Sequence, residues 1–279
     1  MKYQMIASDL DGTLLNNQAQ VSKENLDAIC ELRQKGAWLV PCSGRTFSEL
    51  PAAVREHPDV RYLIYSNGAV VLDRETGKRL VRGIPNQVGR KILELLFSYE
   101  THLTMRYQGE CYVDADCQKP SDWEYYHLCE AHRSVLRDYA VACRDLYGFA
   151  READHVEVFS AFFHDYEEML ACKKRLEELG CLRVAEASEY NLEIFHKDAG
   201  KGNALYDLAD MLGIDRAATI GVGDSDNDNS MLRAAGLGLA VSNACDSLKA
   251  IADQIICSNE EHVLPYIVSH YLKEKERDV

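Results

Sequence analysis

The chain has 279 residues, 47% of them hydrophobic and 27% charged, with a formal net charge of −14. That length suits one large domain or a core carrying an inserted one, and no apolar run approaches the ~20 residues of a membrane span. Nucleic acid and anionic membranes usually demand a basic face, so neither is expected as a partner of so acidic a chain, and its start, MKYQMIASDL, has no long apolar region with a small-residue cleavage site, so a cytoplasmic protein is expected.

In chain order, Tyr3 to Ser8 reads as a short apolar strand ending at Asp9. Ser22 to Lys35 has helical periodicity, with Ser22 as N-cap and Gly36 after the end. Ala37–Cys42 reads as a strand, Thr46–Glu56 as a helix and Arg61–Tyr65 as a third strand. This βαβαβ rhythm predicts a parallel, doubly wound sheet. After Gly83-Ile84-Pro85 the pattern changes. A helix over about 86–99 precedes strands at Leu103–Tyr107 and Cys111–Asp114, then a long helical stretch over about 121–146. A strand at His155–His164, a helix at Tyr166–Leu179 and strands at Leu182–Ala185 and Asn191–Phe195 follow. From Gly200 the α/β rhythm returns: a helix over Lys201–Leu212, a strand over Ala218–Val222, a helix over Asn229–Ala235 and a strand over Gly238–Val241. Asp246–Ala252 reads as helix and Gln254–Cys257 as a last strand, and Ser258-Asn259-Glu260-Glu261 as a capped helix start. The expected fold is therefore an α/β doubly wound parallel-sheet core over residues 1–83 and 190–279, with an α+β cap inserted at 84–189.

Open parallel sheets bind ligands beyond the carboxyl ends of their strands. Asp9-Leu10-Asp11-Gly12-Thr13, Ser43-Gly44-Arg45-Thr46, Ser66-Asn67-Gly68 and Gly223-Asp224-Ser225-Asp226-Asn227-Asp228 all fall there, with Gly200-Lys201-Gly202 opening a helix nearby. Asp9, Asp11, Asp224 and Asp228 brought together repel one another unless a proton or a cation intervenes, and an all-oxygen set of this kind suits Mg²⁺. Lys201 is the expected counter-charge. Ser43 and the N–H groups after it, read as the start of a helix, form a phosphate cradle. Any one of these motifs alone would pass for a solvated turn, since Asp, Gly and Asn favour turns.

Together the motifs resemble those of the haloacid dehalogenase-like (HAD) phosphohydrolases, in the Cof-like branch whose large α/β cap (type IIB) follows the third core strand. DLDGTLL at 9–15, SGRT at 43–46, SNGA at 66–69, GKGNAL at 200–205 and GDSDND at 223–228 occur in the family's order, and the likeness covers nearly the whole chain. The resemblance implies that Asp9 is the nucleophile and a magnesium ligand. It makes Asp11 the general acid/base, its backbone carbonyl also on the metal. Ser43 and Gly44 would hold the phosphoryl group, and Lys201 would pair with Asp9 and the phosphate. Asp224 would ligate the metal, and Asp228 directly or through water. Asn227 would touch phosphate or substrate, with Asn67 and Arg45 as further contacts. It implies a phosphatase of small phosphorylated metabolites such as sugar phosphates, acting through an aspartyl-phosphate. ATPase members are expected to carry Thr at the second Asp, so Asp11 favours phosphatase or mutase over pump. Two departures stand out: His262-Val263 where the branch has Gly-Val, which puts a local turn in doubt, and Pro41-Cys42 before Ser43.

A phosphomutase or a catalytically silent phosphometabolite-binding regulator would share these motifs. A dinucleotide-binding dehydrogenase would not, because no G-x-G-x-x-G follows the first strand. In the insert, Trp123, Tyr125, Tyr126 and His127 form either a stacking platform or a small core, and Arg106, Arg133, His155 and His164 either read a second anionic group or serve structure. The ten cysteines include no C-x-x-C pair and read as reduced thiols, and His127, Cys129 and His132 match no common zinc spacing.

Overall fold

A computed structural model describes residues 2–272. The chain divides into two compact units. Among the described residues, one gathers 2–44, Leu50–Leu80 and 200–272, and the other gathers Arg45–Glu49 and Val81–Ala199.

The first unit is the doubly wound core. Its central strand, Met5–Ser8, is buried along its whole length and pairs in parallel with Trp38–Pro41 on one side and Thr219–Gly223 on the other. Leu237–Val241 and Gln254–Ile256 extend the sheet, all five strands parallel. Strands buried on both faces need continuous apolar runs, and MIAS, WLVP and LGLAV supply them. Tyr62–Tyr65 joins beyond Cys42 through a single parallel bridge at Ile64, then turns back against Val70–Asp73 as an antiparallel hairpin. The chain runs outward in one direction from Met5–Ser8 and later in the other from Thr219–Gly223. The switch point lies between those two strands, and Asp9 and Asp224 are the first residues beyond their ends.

The helix Lys23–Gln34 starts where Ser22 Oγ accepts the Asn25 N–H at 3.2 Å. The helix Lys201–Leu212 ends at Gly213, which is left-handed (φ 63°). A Cβ on Gly202 would lie 2.2 Å from the Ser230 carbonyl oxygen, so this helix start meets the helix Asn229–Ala234 backbone to backbone. The capping box at Ser258–Glu261 is present, followed by the helix Val263–Tyr271. The turn between them survives the loss of glycine: His262 itself is left-handed (φ 64°, ψ 81°), and its Nδ1 lies 2.9 Å from Ser22 Oγ.

The expected helix over Thr46–Glu56 is wrong. Only Ala52–Arg55 is helical, because the Glu49 carboxylate takes the Thr46 N–H (3.2 Å) in a turn and Pro51 bars a helix from running through it.

The second unit holds a six-stranded sheet in the order Leu182–Ser188, Asn191–His196, Val158–Phe163, Thr101–Tyr107, Glu110–Asp114, Val141–Cys143, antiparallel except for the last pair. Asn191–His196, on the core side of the boundary at 190, thus pairs within this sheet. Ile92 and Leu96 of the helix Asn86–Leu96, and Met169 of the helix Tyr166–Glu177, pack with Met105, Phe159 and Phe163 of the sheet. The single long helix expected near 121–146 is instead Pro120–Tyr125 and Glu130–Asp138, then a strand at Val141–Cys143. His127, at φ 54°, breaks the run, and the Leu128 N–H returns to the Trp123 carbonyl. Trp123 is core, packed with Val113, Leu128, Leu136 and Phe162. Tyr125 stacks on His164 (centroids 4.0 Å apart) and His127 on Tyr190 (4.2 Å). Arg106 is ion-paired to Glu193 at 3.1 Å, Arg133 donates to the Leu128 carbonyl, and His155 lies 3.0 Å from Asp154.

Candidate active site

Four charged side chains from two loops and one helix start converge in the core unit. Lys201 Nζ donates to Asp9 Oδ1 and to Asp228 Oδ1, each at 2.6 Å. The three residues are 1%, 5% and 0% exposed in that order. Asp224 completes the group, and carboxylate oxygens of Asp9, Asp224 and Asp228 all lie within 4.8 Å of one another.

Local backbone explains the convergence. Asp9 continues the central strand, its N–H on the Val222 carbonyl at 3.0 Å. A Cβ on Gly223 would lie 2.4 Å from Asp228 Oδ2, so glycine there lets the loop fold its own acid back onto the strand end. Asp228 Oδ2 then accepts the N–H groups of Asp224 (3.0 Å) and Ser225 (3.2 Å) while Oδ1 takes the ammonium. Gly202 seats the helix start of Lys201 against Ser230, whose Oγ accepts the Gly202 N–H at 3.2 Å.

Burial raises the Asp9 pKa well above the carboxylate range; Lys201 opposes this, and Asp228 and Asp224 reinforce it. Asp224 is raised by burial and by Asp228. Burial alone would depress Lys201, but the Asp9 and Asp228 carboxylates overcome it and hold the ammonium protonated. One ammonium among three carboxylates leaves a surplus of negative charge on hard oxygen donors. That surplus fits a divalent cation, which the carboxylates of Asp9, Asp224 and Asp228 could hold.

Asp11 lies two residues beyond Asp9 on the Leu10–Leu14 loop; it is exposed, and its carboxylate stands outside the cluster of three acids. Gly12 is left-handed (φ 73°), and a Cβ there would lie 2.6 Å from Asp224 Oδ2. Ser43 is buried, and its N–H bonds the Ile64 carbonyl at 2.9 Å. No helix starts at Ser43, so no helix dipole points at its hydroxyl. Asn67 and its neighbours Ser66 and Gly68 are all left-handed (φ 54°, 51° and 83°). The Asn67 N–H donates to the Ser43 carbonyl at 3.1 Å, and its Oδ1 would be 2.8 Å from a Cβ on Gly44. Asn227 is exposed and accepts from Ser225 Oγ at 2.8 Å. Arg45 falls in the other unit, donating to the Glu49 carbonyl at 3.0 Å.

Two further residues join the site: Thr13, which closes the first motif, and Asn243, which the sequence reading gave no role. Thr13 Oγ1 reaches Asp224 Oδ1 at 3.4 Å, and Asn243 Nδ2 donates to the Gly12 carbonyl at 2.7 Å. Asn243 follows the strand Leu237–Val241, and its place beyond a strand's carboxyl end is the signal that could have found it.

A family model described as haloacid dehalogenase-like hydrolase matches residues 6–268. The chain is 32% identical to Phosphatase YwpJ of Bacillus subtilis (strain 168), over 96% of this chain and 99% of that one. It is 27% identical to 5-amino-6-(5-phospho-D-ribitylamino)uracil phosphatase YwtE of the same organism, over 96% and 97%. Among solved structures, TM0651 from Thermotoga maritima superposes with a TM-score of 0.81 at 24% identity, covering 98% of each chain.

Proposed function

Since the chain belongs to the haloacid dehalogenase-like hydrolase family and is a phosphatase, we propose that it hydrolyses small phosphorylated metabolites with Mg²⁺ and the Asp9 carboxylate as nucleophile. The observation that carries this reading is the ammonium of Lys201 held 2.6 Å from both Asp9 and Asp228, with Asp224 in the same cluster.

Asp9, Asp224 and the main-chain carbonyl of Asp11 would hold the metal, and Asp228 orients Lys201 and the Asp224 loop. A bound Mg²⁺ supplies positive charge that offsets the carboxylates and the phosphoryl oxygens. An Asp9 oxygen attacks phosphorus, and the bond from phosphorus to the ester oxygen breaks. Asp11 gives its proton to the departing alkoxide. Water then attacks the aspartyl-phosphate, Asp11 takes a proton from it, and inorganic phosphate leaves with Asp9 restored. Lys201 neutralises charge on the phosphoryl oxygens, and Ser43, Gly44 and Asn67 position them. Asn227 is the proposed contact to the remainder of the substrate.

The test is phosphate release from sugar phosphates, nucleotides, pyridoxal phosphate, 5-amino-6-(5-phospho-D-ribitylamino)uracil and an aryl phosphate. Each is run with Mg²⁺, with chelator, and with Asp9→Asn protein. Release that needs Mg²⁺ and vanishes in Asp9→Asn is expected. Release that survives Asp9→Asn in a contaminant-free preparation would sink the mechanism.

A further inference from the structure

The loop that carries Asp11 has little structure of its own. Leu10–Leu14 closes through one bond, from the Leu15 N–H to the Leu10 carbonyl at 2.8 Å. Inside it Asp11 is extended (φ −71°, ψ 122°) and Gly12 is left-handed, a residue with wide backbone freedom. Thr13 and Leu14 are tied to Asp224 and Asn25 and buried, while the Gly12 peptide next to Asp11 is held from outside by the carboxamide of Asn243. Its Nδ2 donates to the Gly12 carbonyl at 2.7 Å, and its Oδ1 accepts the Asn259 N–H at 2.9 Å. A carbonyl on one side and an N–H on the other admit only one orientation of the amide. The anchor is itself tied down, since Asn259 Nδ2 donates to the Leu15 carbonyl at 3.0 Å, and Asn259 is buried. Close by, the same connection holds the other acidic loop. The Cys245 N–H bonds the Asp224 carbonyl at 2.8 Å, and Ser247 Oγ donates to Asp226 at 2.6 Å.

We infer that Asn243 is a positioning residue that holds the Gly12 peptide, and through it the adjacent Asp11 carboxyl, at the place from which Asp11 protonates the leaving oxygen. This rests on the acid/base reading of Asp11 above. Asn243 is exposed, so water can take its place at the Gly12 carbonyl, and Asn243→Asp keeps an acceptor for the N–H of buried Asn259, so that variant should fold. Its effect is then expected in proton transfer.

That step can be isolated by the leaving group. An alkyl phosphate departs as a strongly basic alkoxide and needs the acid, whereas p-nitrophenyl phosphate leaves as a stable phenolate and does not. kcat/KM reports the first chemical step. We would measure it on the best alkyl ester found and on p-nitrophenyl phosphate, for wild type, Asn243→Ala and Asn243→Asp. The aspartate variant keeps the acceptor for Asn259 but has no donor for Gly12. Both variants are expected to lose about 10–100-fold on the alkyl ester and less than about 3-fold on the aryl ester, the scale of an acid misplaced by an ångström or so. Equal losses on both esters, or no loss on either, would overturn the assignment and leave Asn243 a structural residue. Wild-type protein without Asp9-dependent turnover would overturn the nucleophile reading along with it, so the two failures are distinguishable.

Discussion

Replacing Lys201 by Met tests whether the charged cluster is built as described. The substitution keeps an unbranched chain of similar length and removes two 2.6 Å charge-assisted bonds at once. The side chains of Lys201, Asp9 and Asp228 are 1%, 7% and 0% exposed, so water cannot replace the ammonium. Breaking a buried ion pair by removing one partner costs about 3–5 kcal/mol. For a chain of this size that corresponds to a fall in melting temperature of roughly 6–20 °C. Scanning calorimetry in chelator, where no cation stands in for the ammonium, measures it. Adding Asp228→Asn should recover part of the loss, because one uncompensated buried charge goes with it. Turnover should fall by about 10³-fold, as for loss of a group that stabilises transition-state charge. A Lys201→Met protein that melts within about 2 °C of wild type, or keeps a tenth of its kcat, would refute the reasoning.

Gly12→Ala forces a side chain into a left-handed position and 2.6 Å from Asp224 Oδ2, so turnover should drop about 10²-fold with only a small change in melting, read by paired kinetics and calorimetry. Burial, with His102 and Arg106 adding to it, pushes the half-buried His132 imidazole down to about 3. The unfolded chain therefore binds a proton below about pH 6.5 that the folded chain refuses until much lower pH, and stability should fall as pH drops through that window. Between pH 7.5 and 5.5 wild type should lose up to about 1 kcal/mol more than His132→Phe in urea titrations, and identical slopes would exclude the effect. His262→Gly relieves a left-handed histidine at the loss of its contacts with Ser22 and, more distantly, the exposed Glu24 carboxylate, so a net gain of about 0.5–1 kcal/mol is expected in urea unfolding. A loss of more than about 1 kcal/mol would mean that the Ser22 contact outweighs the strain.

The parallel strands were legible in the sequence because strands buried on both faces are short apolar runs, and Asp9 and Asp224 because each follows such a run directly. Lys201 was legible as a cation at a helix start, where the helix dipole disfavours it unless carboxylates compensate. The segment after Ser43 misled because Thr46–Glu56 has a helical composition, while one side-chain bond from Thr46 to Glu49 and one proline decide its conformation. The stretch near 121–146 misled for a similar reason, since the left-handed backbone of His127 leaves no periodic mark. Asn243 escaped notice because its value lies in two main-chain partners, Gly12 and Asn259, distant in sequence from it or from each other. The glycines at 12, 202 and 223 gave no warning of the atoms that press on them, which come from elsewhere in the fold or from the far side of a tight loop.

The central strand has a consequence for how the protein is made. Met5–Ser8 pairs with Trp38–Pro41 soon after both are synthesised, but its other edge waits for Thr219–Gly223, more than two hundred residues later. At about 5–20 residues per second the ribosome leaves that apolar edge unpaired for roughly 10–40 s. Meanwhile Val81–Ala199 can complete its own sheet, whose strands all lie within that span. The nascent chain thus passes through a period with one finished unit and one half-built sheet that presents an open template for other strands. Slow translation after about residue 200, or a shortage of chaperones that shield such edges, should raise the yield of aggregate without altering the stability of any molecule that finishes folding.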